Sequence, residues 1–202
     1  MGSQLARPGY QKIIIACDDI VAVRIVVAIS GASGSIYGIR LLEQLQGEKI
    51  LVVSSIAKEI LEYETGRSID EVYALADKVF EDDDLFASIA SGSYPCDAMV
   101  VVPCSMSTLA KITHGIADTL ITRTASVALK EGRRLILVPR ETPKSTVMLE
   151  NEMKAVRHGA TVLDANPGFY SKPQSVDDII NFVVGKILDQ LGQEHDLYRR
   201  WE

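Results

Sequence analysis

A doubly wound α/β domain on a parallel sheet is the fold class that three features of the 202-residue sequence predict. Short apolar runs alternate with amphipathic segments from Arg24 onward, the pattern of repeated βαβ units. The runs are continuously apolar rather than alternating, which marks strands buried on both faces. A glycine-rich turn, ISGASGSIYG (Ile29 to Gly38), links the first run to the first amphipathic segment. Right-handed crossovers then place helices on both faces of the sheet, giving a three-layer sandwich.

Arg24 to Ser30 is the first predicted strand. Ser35 to Leu45 is a helix, with Ile36, Ile39, Leu42 and Leu45 on one stripe. Ile50 to Ser54 is the second strand, and Ala57 to Tyr63 a helix. Ser68 to Leu75 opens on an N-cap serine. EDDD (Glu81 to Asp84) reads as a solvated acidic loop. Asp97 to Pro103 is the third strand, followed by helices at Ser105 to Thr113 and Ala117 to Lys130 with Gly115 between them. Arg134 to Val138 is the fourth strand, stopped by Pro139. Lys144 to His158 is helical and closed by Gly159; Ala160 to Leu163 is the fifth strand. Asn166 to Pro173 is a loop, and Ser175 caps a last helix to Leu191 whose first turn holds Asp177 and Asp178.

No linker or repeat divides residues 24–192, which read as one domain. Residues 1–23 are an N-terminal extension. Within it Lys12 to Val23 (KIIIACDDIVAV) suits either an extra edge strand or sequence ahead of a misplaced start. Residues 193–202 are a C-terminal tail. The formal net charge of −6 argues against general attraction to nucleic acid or anionic membrane. No apolar run approaches the roughly 20 residues of a membrane span, and no secretory signal is evident. Cys17, Cys96 and Cys104 are few, odd in number and without CxxC spacing, which suits the reducing cytoplasm. The three histidines are far apart, and no metal site is expected.

Ligands of such sheets bind outside the carboxyl ends of the strands. Four predicted strand ends carry polar or small residues. They are Ser30, Gly31, Ala32 and Ser33; Ser54 and Ser55; Pro103, Cys104, Ser105, Ser107 and Thr108; and Pro139, Arg140, Glu141, Thr142 and Pro143 in LVPRETP. In the first loop Gly31 suits the turn, Gly34 a close backbone approach to ligand, and Gly38 close helix–sheet packing. The spacing is GxxGxxxG rather than GxGxxG, and no acidic residue ends the second strand. A mononucleotide phosphate therefore fits better than a dinucleotide. Hydroxyls at Ser105, Ser107 and Thr108 precede a second helix. Arg140 can clamp a phosphate, and Glu141 can move a proton. Arg123 and Lys130 share one helix face, Lys186 lies on the last helix, and Tyr170 offers a phenol. Cys104, with no histidine placed to activate it, reads as a small buried residue. Glu64 reads as a helix-end charge.

ISGASGSIYG, VSSIAK, LEYETG, VVPCSMSTLAKITHGIAD, LITRTASVALKEGRRLILVPRETP and GFYSKPQSVDDIINFVVGKILDQLG together resemble the UbiX/Pad1 family of flavin prenyltransferases, from Arg24 to Gly192. The resemblance implies a Rossmann-like, flavodoxin-like fold that binds FMN. It implies attachment of a dimethylallyl group from dimethylallyl phosphate to N5 and the adjacent ring carbon of reduced FMN. The prenylated FMN then serves a UbiD-type decarboxylase. Carried over by motif, Gly31, Ala32, Ser33, Ser54, Ser105, Met106, Ser107, Thr108 and Arg123 contact FMN. Lys130, Arg140, Glu141, Tyr170 and Lys186 surround the donor. Glu64, Glu141 and Ser33 are the catalytic candidates, and Trp201 in DLYRRWE covers the site. Family sites lie between subunits of a homododecamer, so a residue can serve a neighbour's site. The residues also leave open an FMN-dependent decarboxylase with His114 as base, or a non-catalytic FMN carrier.

Overall fold

The computed structural model describes residues 23–201; the segment from Lys12 lies outside the described residues up to Val23. Six strands form one parallel sheet: β1 (Arg24–Ile29), β2 (Glu48–Val53), β3 (Lys78–Glu81), β4 (Ala98–Cys104), β5 (Arg134–Pro139) and β6 (Thr161–Val162). Their order across the sheet is β3-β2-β1-β4-β5-β6. The helices are α1 (Ser35–Gln44), α2 (Ser55–Thr65), α3 (Ile69–Tyr73), α4 (Met106–Thr113), α5 (Leu120–Lys130), α6 (Thr146–Arg157) and α7 (Val176–Leu191).

Each strand divides its apolar side chains between two cores, as the two-residue strand period requires. Ile25, Val27 and Ile29 of β1 meet α1, α2 and α7 through Leu42, Leu61 and Val184. Val26 and Ala28 face the other way, toward Leu109 of α4, Ile121 of α5 and Ala155 of α6. The predicted doubly wound sandwich is therefore the observed one. Gly38 has the role its spacing suggested: a Cβ there would lie 2.6 Å from the Val102 carbonyl oxygen, so only glycine lets α1 settle against β4.

Three expectations are corrected. The chain has a sixth strand, β3, where the sequence suggested five strands and an acidic loop beginning at Glu81. It is a short, half-exposed edge strand, so its apolar pattern is weak. Without it the order becomes the five-strand flavodoxin-like 2-1-3-4-5. α5 starts at Leu120, because Thr119 and Thr122 cap it reciprocally: Thr119 N–H donates to Thr122 Oγ1 (3.0 Å) and Thr122 N–H to Thr119 Oγ1 (3.4 Å). Pro139 ends β5 from inside: it pairs with Cys104 and its carbonyl accepts from Ala165 N–H at 3.3 Å. A proline at the last position loses no donor that the ladder needs. None of the described helices is long and apolar enough to cross a membrane.

Candidate functional site: a crevice at the sheet switch point

From β1 the chain winds through β2 to β3 at one edge, then restarts at β4 and winds through β5 to β6 at the other. The tips of β1 and β4 are thus neighbours where the winding reverses, which is where such sheets bind ligands. Ser30 ties them together. Its buried Oγ donates to the Pro103 carbonyl (3.0 Å) and accepts from Ser105 N–H (2.8 Å).

A pocket of about 390 Å³ opens at this point, within the range of small-molecule sites. Gly31, Ser54, Ser105, Met106, Ser107, Thr108 and Glu141 line it, as the motifs suggested. The first turn of α4 points into it. Ser105 caps that helix, its Oγ accepting from Thr108 N–H (3.1 Å) and lying 2.9 Å from Thr108 Oγ1. Amides at a helix start and a row of hydroxyls together suit a phosphate. Ser54 Oγ similarly accepts from Ala57 N–H at 3.4 Å and caps α2. These residues fit a mononucleotide such as FMN, with donors for one phosphate.

The glycines divide their work differently from the expectation. Gly34, at φ +105°, takes the left-handed conformation of the turn. Gly31 instead provides close approach, since a Cβ there would overlap Ile56. Ala32 is buried beneath the turn and Ser33 is exposed at its tip. Glu64 is more than a helix-end charge: its Oε2 accepts from Gly34 N–H (2.9 Å) and Ser35 N–H (3.1 Å). A carboxylate from α2 thus fills the anion position at the start of α1, leaving the start of α4 for a ligand phosphate.

Arg140 reaches the same turn, its Nε donating to the Ser33 carbonyl at 3.2 Å. Beside it the Tyr37 phenol is pushed up by burial, against the opposing pull of the Arg140 guanidinium. Glu141 lies in the wall between the crevice and a second pocket of about 590 Å³ that also holds Arg140, Lys144 and Asp164. Its Oε1 accepts from Thr142 N–H at 3.1 Å. Lys144 braces this loop through ion pairs to Asp164 (2.6 Å) and Glu152 (2.8 Å).

The remaining predicted residues are not gathered here. Arg123 Nε donates to the Ala90 carbonyl at 3.0 Å, which turns the side chain toward the neighbouring loop and away from the crevice wall. Lys130 ends α5, pairs with Glu131, and lies beside Gly92 at the end of the helix away from the crevice. Tyr170, Lys186 and Trp201 form a separate group along α7 and the tail. Tyr170 packs edge-on against Phe182 and Trp201, both at 5.6 Å between centroids. Lys186 reaches Asp189 at 3.5 Å.

Cys104 is the buried residue it was expected to be; burial, foremost, pushes its thiol up to about 12. His114 sits past the far end of α4, with Nδ1 on the Ala110 carbonyl (2.8 Å) and Nε2 facing Lys154 Nζ (3.0 Å). An ammonium can only donate, so Nε2 is the acceptor and is not available as a base in the crevice. Sequence reasoning named Ser30 only as a strand-end residue and missed Tyr37, Asp82 and Asp189. Asp82, read as loop charge, accepts from Ile121 N–H at 2.9 Å and holds the start of α5 in the pocket wall.

Sheet order, switch-point crevice and a phosphate-suited helix start define a mononucleotide-binding flavoprotein fold. The Flavoprotein family profile matches residues 15–188. The flavin prenyltransferase UbiX of Thermoplasma acidophilum is 53% identical over 179 residues, covering 88% of this chain and 99% of the relative. A crystal structure of AnUbiX (PadA1) in complex with FMN and dimethylallyl pyrophosphate superposes with TM-score 0.88 at 44% identity, covering 90% of this chain and 98% of that one. A dodecameric FMN-dependent UbiX-like decarboxylase from Escherichia coli O157:H7 gives TM-score 0.87 at 46% identity, covering 89% and 100%. The chain belongs to the UbiX/Pad1 family of flavin prenyltransferases.

Proposed function

We propose that the protein joins a dimethylallyl group, delivered as dimethylallyl phosphate, to reduced FMN, and that the prenylated FMN passes to a UbiD-type decarboxylase in the cytoplasm. The observation that carries this reading is the meeting of two anion-suited features on either side of Glu141: the hydroxyl-rich start of α4 in the crevice, and Arg140, at the tip of β5, in the adjoining pocket. Two phosphates need two holders, and a protein that merely stored FMN would need one.

Reduced FMN, when bound, supplies the ring nitrogen and neighbouring carbon that accept the allyl group. The protein's own residues do the rest. Ser105, Ser107, Thr108 and the α4 amides hold the FMN phosphate. Arg140 holds the donor's phosphate and stabilises charge as it leaves. Glu141 keeps Oε2 for a proton while Thr142 N–H occupies Oε1. Glu64, fixed on the Ser33–Ser35 turn, is the second proton-handling carboxylate. Tyr170 and Lys186 lie away from this chain's crevice and fit as further donors for the leaving phosphate at a site shared with another subunit.

Lys130 and Arg123 fit as residues lent to another subunit's site. α5 has 11 residues, about 16 Å of helix, so Lys130 is a helix length away from its own crevice. A homododecamer with sites between subunits would bring it to a neighbour. The test pairs Arg140→Ala with Glu141→Gln. Both are expected to bind FMN and to lose prenylation. Undiminished turnover in both would make the PRETP loop scaffold, and FMN bound but unchanged by wild type would favour a carrier.

A further inference from the structure

We propose that Asp189 is a positioning residue for donor binding, acting by clamping the C-terminal tail along α7. The inference rests on the assignment of Tyr170 and Lys186 to the donor phosphate.

Phe182, Gly185, Lys186 and Asp189 are spaced i, i+3, i+4 and i+7 on α7, a single stripe of the helix. The tail lies along it. Asp189 Oδ1 accepts from His195 Nε2 (3.2 Å) and Arg200 (2.8 Å); Oδ2 accepts from the Tyr198 hydroxyl (2.6 Å) and faces Lys186 Nζ (3.5 Å). A carboxylate offers about four acceptor sites, and here each oxygen has two donors. Three of the four come from the tail. Leu197 N–H donates to His195 Nδ1 at 3.2 Å, which leaves the proton on Nε2 as this geometry requires. The His195 side chain is 4% exposed, so the tail is seated rather than resting on the surface.

Gly185 is the flat spot that admits it. A Cβ there would lie 2.6 Å from Tyr198 Cε1 and 2.7 Å from His195 Cε1, closer than ring carbons tolerate without moving. The seated tail sets Tyr198 on Phe182 (4.8 Å between centroids) and Trp201 on Tyr170. Tyr170 is therefore packed between α7 and the chain's end. Lys186 has the longest contact in the cluster, so it is the donor that leaves Asp189 most readily for an incoming phosphate. Arg200, Tyr198 and His195 then keep the carboxylate satisfied.

Trp201 is the only tryptophan in the chain; it is 79% exposed but packs edge-on against Tyr170, so its band in the near-ultraviolet circular dichroism, which depends on fixed packing, reports tail seating without any turnover. Asp189→Asn and Gly185→Ala, compared with wild type as the full-length assembly, are expected to weaken the Trp201 circular-dichroism band about threefold. They are also expected to raise the KM for dimethylallyl phosphate about tenfold with kcat within about twofold, while FMN affinity stays unchanged. Gly185→Ala keeps every charge, so agreement of the two variants separates tail loss from a local charge effect. A wild-type circular-dichroism band in both variants overturns the clamp, and a weakened band with an unchanged donor KM overturns the positioning role. Absence of prenylation by wild type would instead overturn the functional assignment, a result distinguishable because the circular-dichroism band needs no donor.

Discussion

Glu64 caps a helix that is not its own, and this allows capping and chemistry to be separated by mutation. Its carboxylate accepts Gly34 and Ser35 N–H at 2.9 and 3.1 Å, at the start of α1. Loss of an N-terminal cap costs about 0.5–2 kcal/mol. The carboxylate's favourable interaction with the helix dipole is about 0.3–1 kcal/mol of that. Glu64 is exposed, which places the whole effect of Glu64→Ala at about 1 kcal/mol, since solvent screens such pairs. For a chain of this size that lowers Tm by roughly 2–4 °C. Glu64→Gln keeps an acceptor oxygen and loses only the charge, about 0.5 kcal/mol. Calorimetry of the apo variants should therefore rank wild type, Gln and Ala in that order, with the wild-type–Gln gap narrowing in 1 M salt. Prenylation should rank differently: if Glu64 moves a proton, Gln and Ala are both slowed by about 10²–10⁴. Equal stability of Glu64→Ala and wild type would refute the cap. Near-normal turnover by Glu64→Gln would refute the proton role and leave Glu64 a structural residue.

Gly38→Ala places a Cβ 2.6 Å from the Val102 carbonyl, a backbone atom with no means of yielding. Overpacking costs about 1–3 kcal/mol, so thermal unfolding should move down by several degrees, and an unchanged Tm would contradict the close α1–β4 approach. Arg140→Lys keeps the charge but loses the Nε bond to the Ser33 carbonyl and bidentate phosphate recognition; a raised donor KM with normal FMN binding is expected from steady-state kinetics. The tail should also respond to pH. Burial opposes the charge on Asp189 but is outweighed by Arg200, Tyr198 and His195, which hold the carboxyl well below its ordinary range. A depressed carboxylate contributes fully above its unfolded value near pH 4 and loses that contribution as pH falls further. The Tyr198 phenol is pushed up, first by burial and then by Asp189, so its share is full below about pH 10 and is lost above it. Arg200, raised by its bond to Asp189, stays charged throughout that window. The Trp201 circular-dichroism band should weaken below about pH 4 and above about pH 10, and an unchanged band at both extremes would contradict this assignment.

Much of the fold was legible because buried parallel strands write continuous apolar runs, as RIVVAI and AMVVVP do. β3 was hidden because an edge strand with its outer residues exposed has no such run. The pocket walls were legible where motif and tip coincide, as at Ser105–Thr108 and Arg140–Glu141. It was not legible where a side chain acts across elements. Nothing local marks Glu64 as the cap of α1, Asp82 as the brace of α5, or Ser30 as the stitch between two strand tips. Asp189 was invisible for the same reason: its partners come from residues 195–200, and only the folded tail assembles them. The positions of Arg123 and Lys130 show the converse. Their spacing placed them on one face of α5, but that face belongs to a surface away from the chain's own crevice.

The most direct test of the account is the mass and absorption spectrum of flavin released after anaerobic incubation of the protein with reduced FMN and dimethylallyl phosphate. The account predicts a flavin heavier than FMN by one isoprene unit, with an altered spectrum. Unmodified FMN recovered under verified reducing conditions would contradict it.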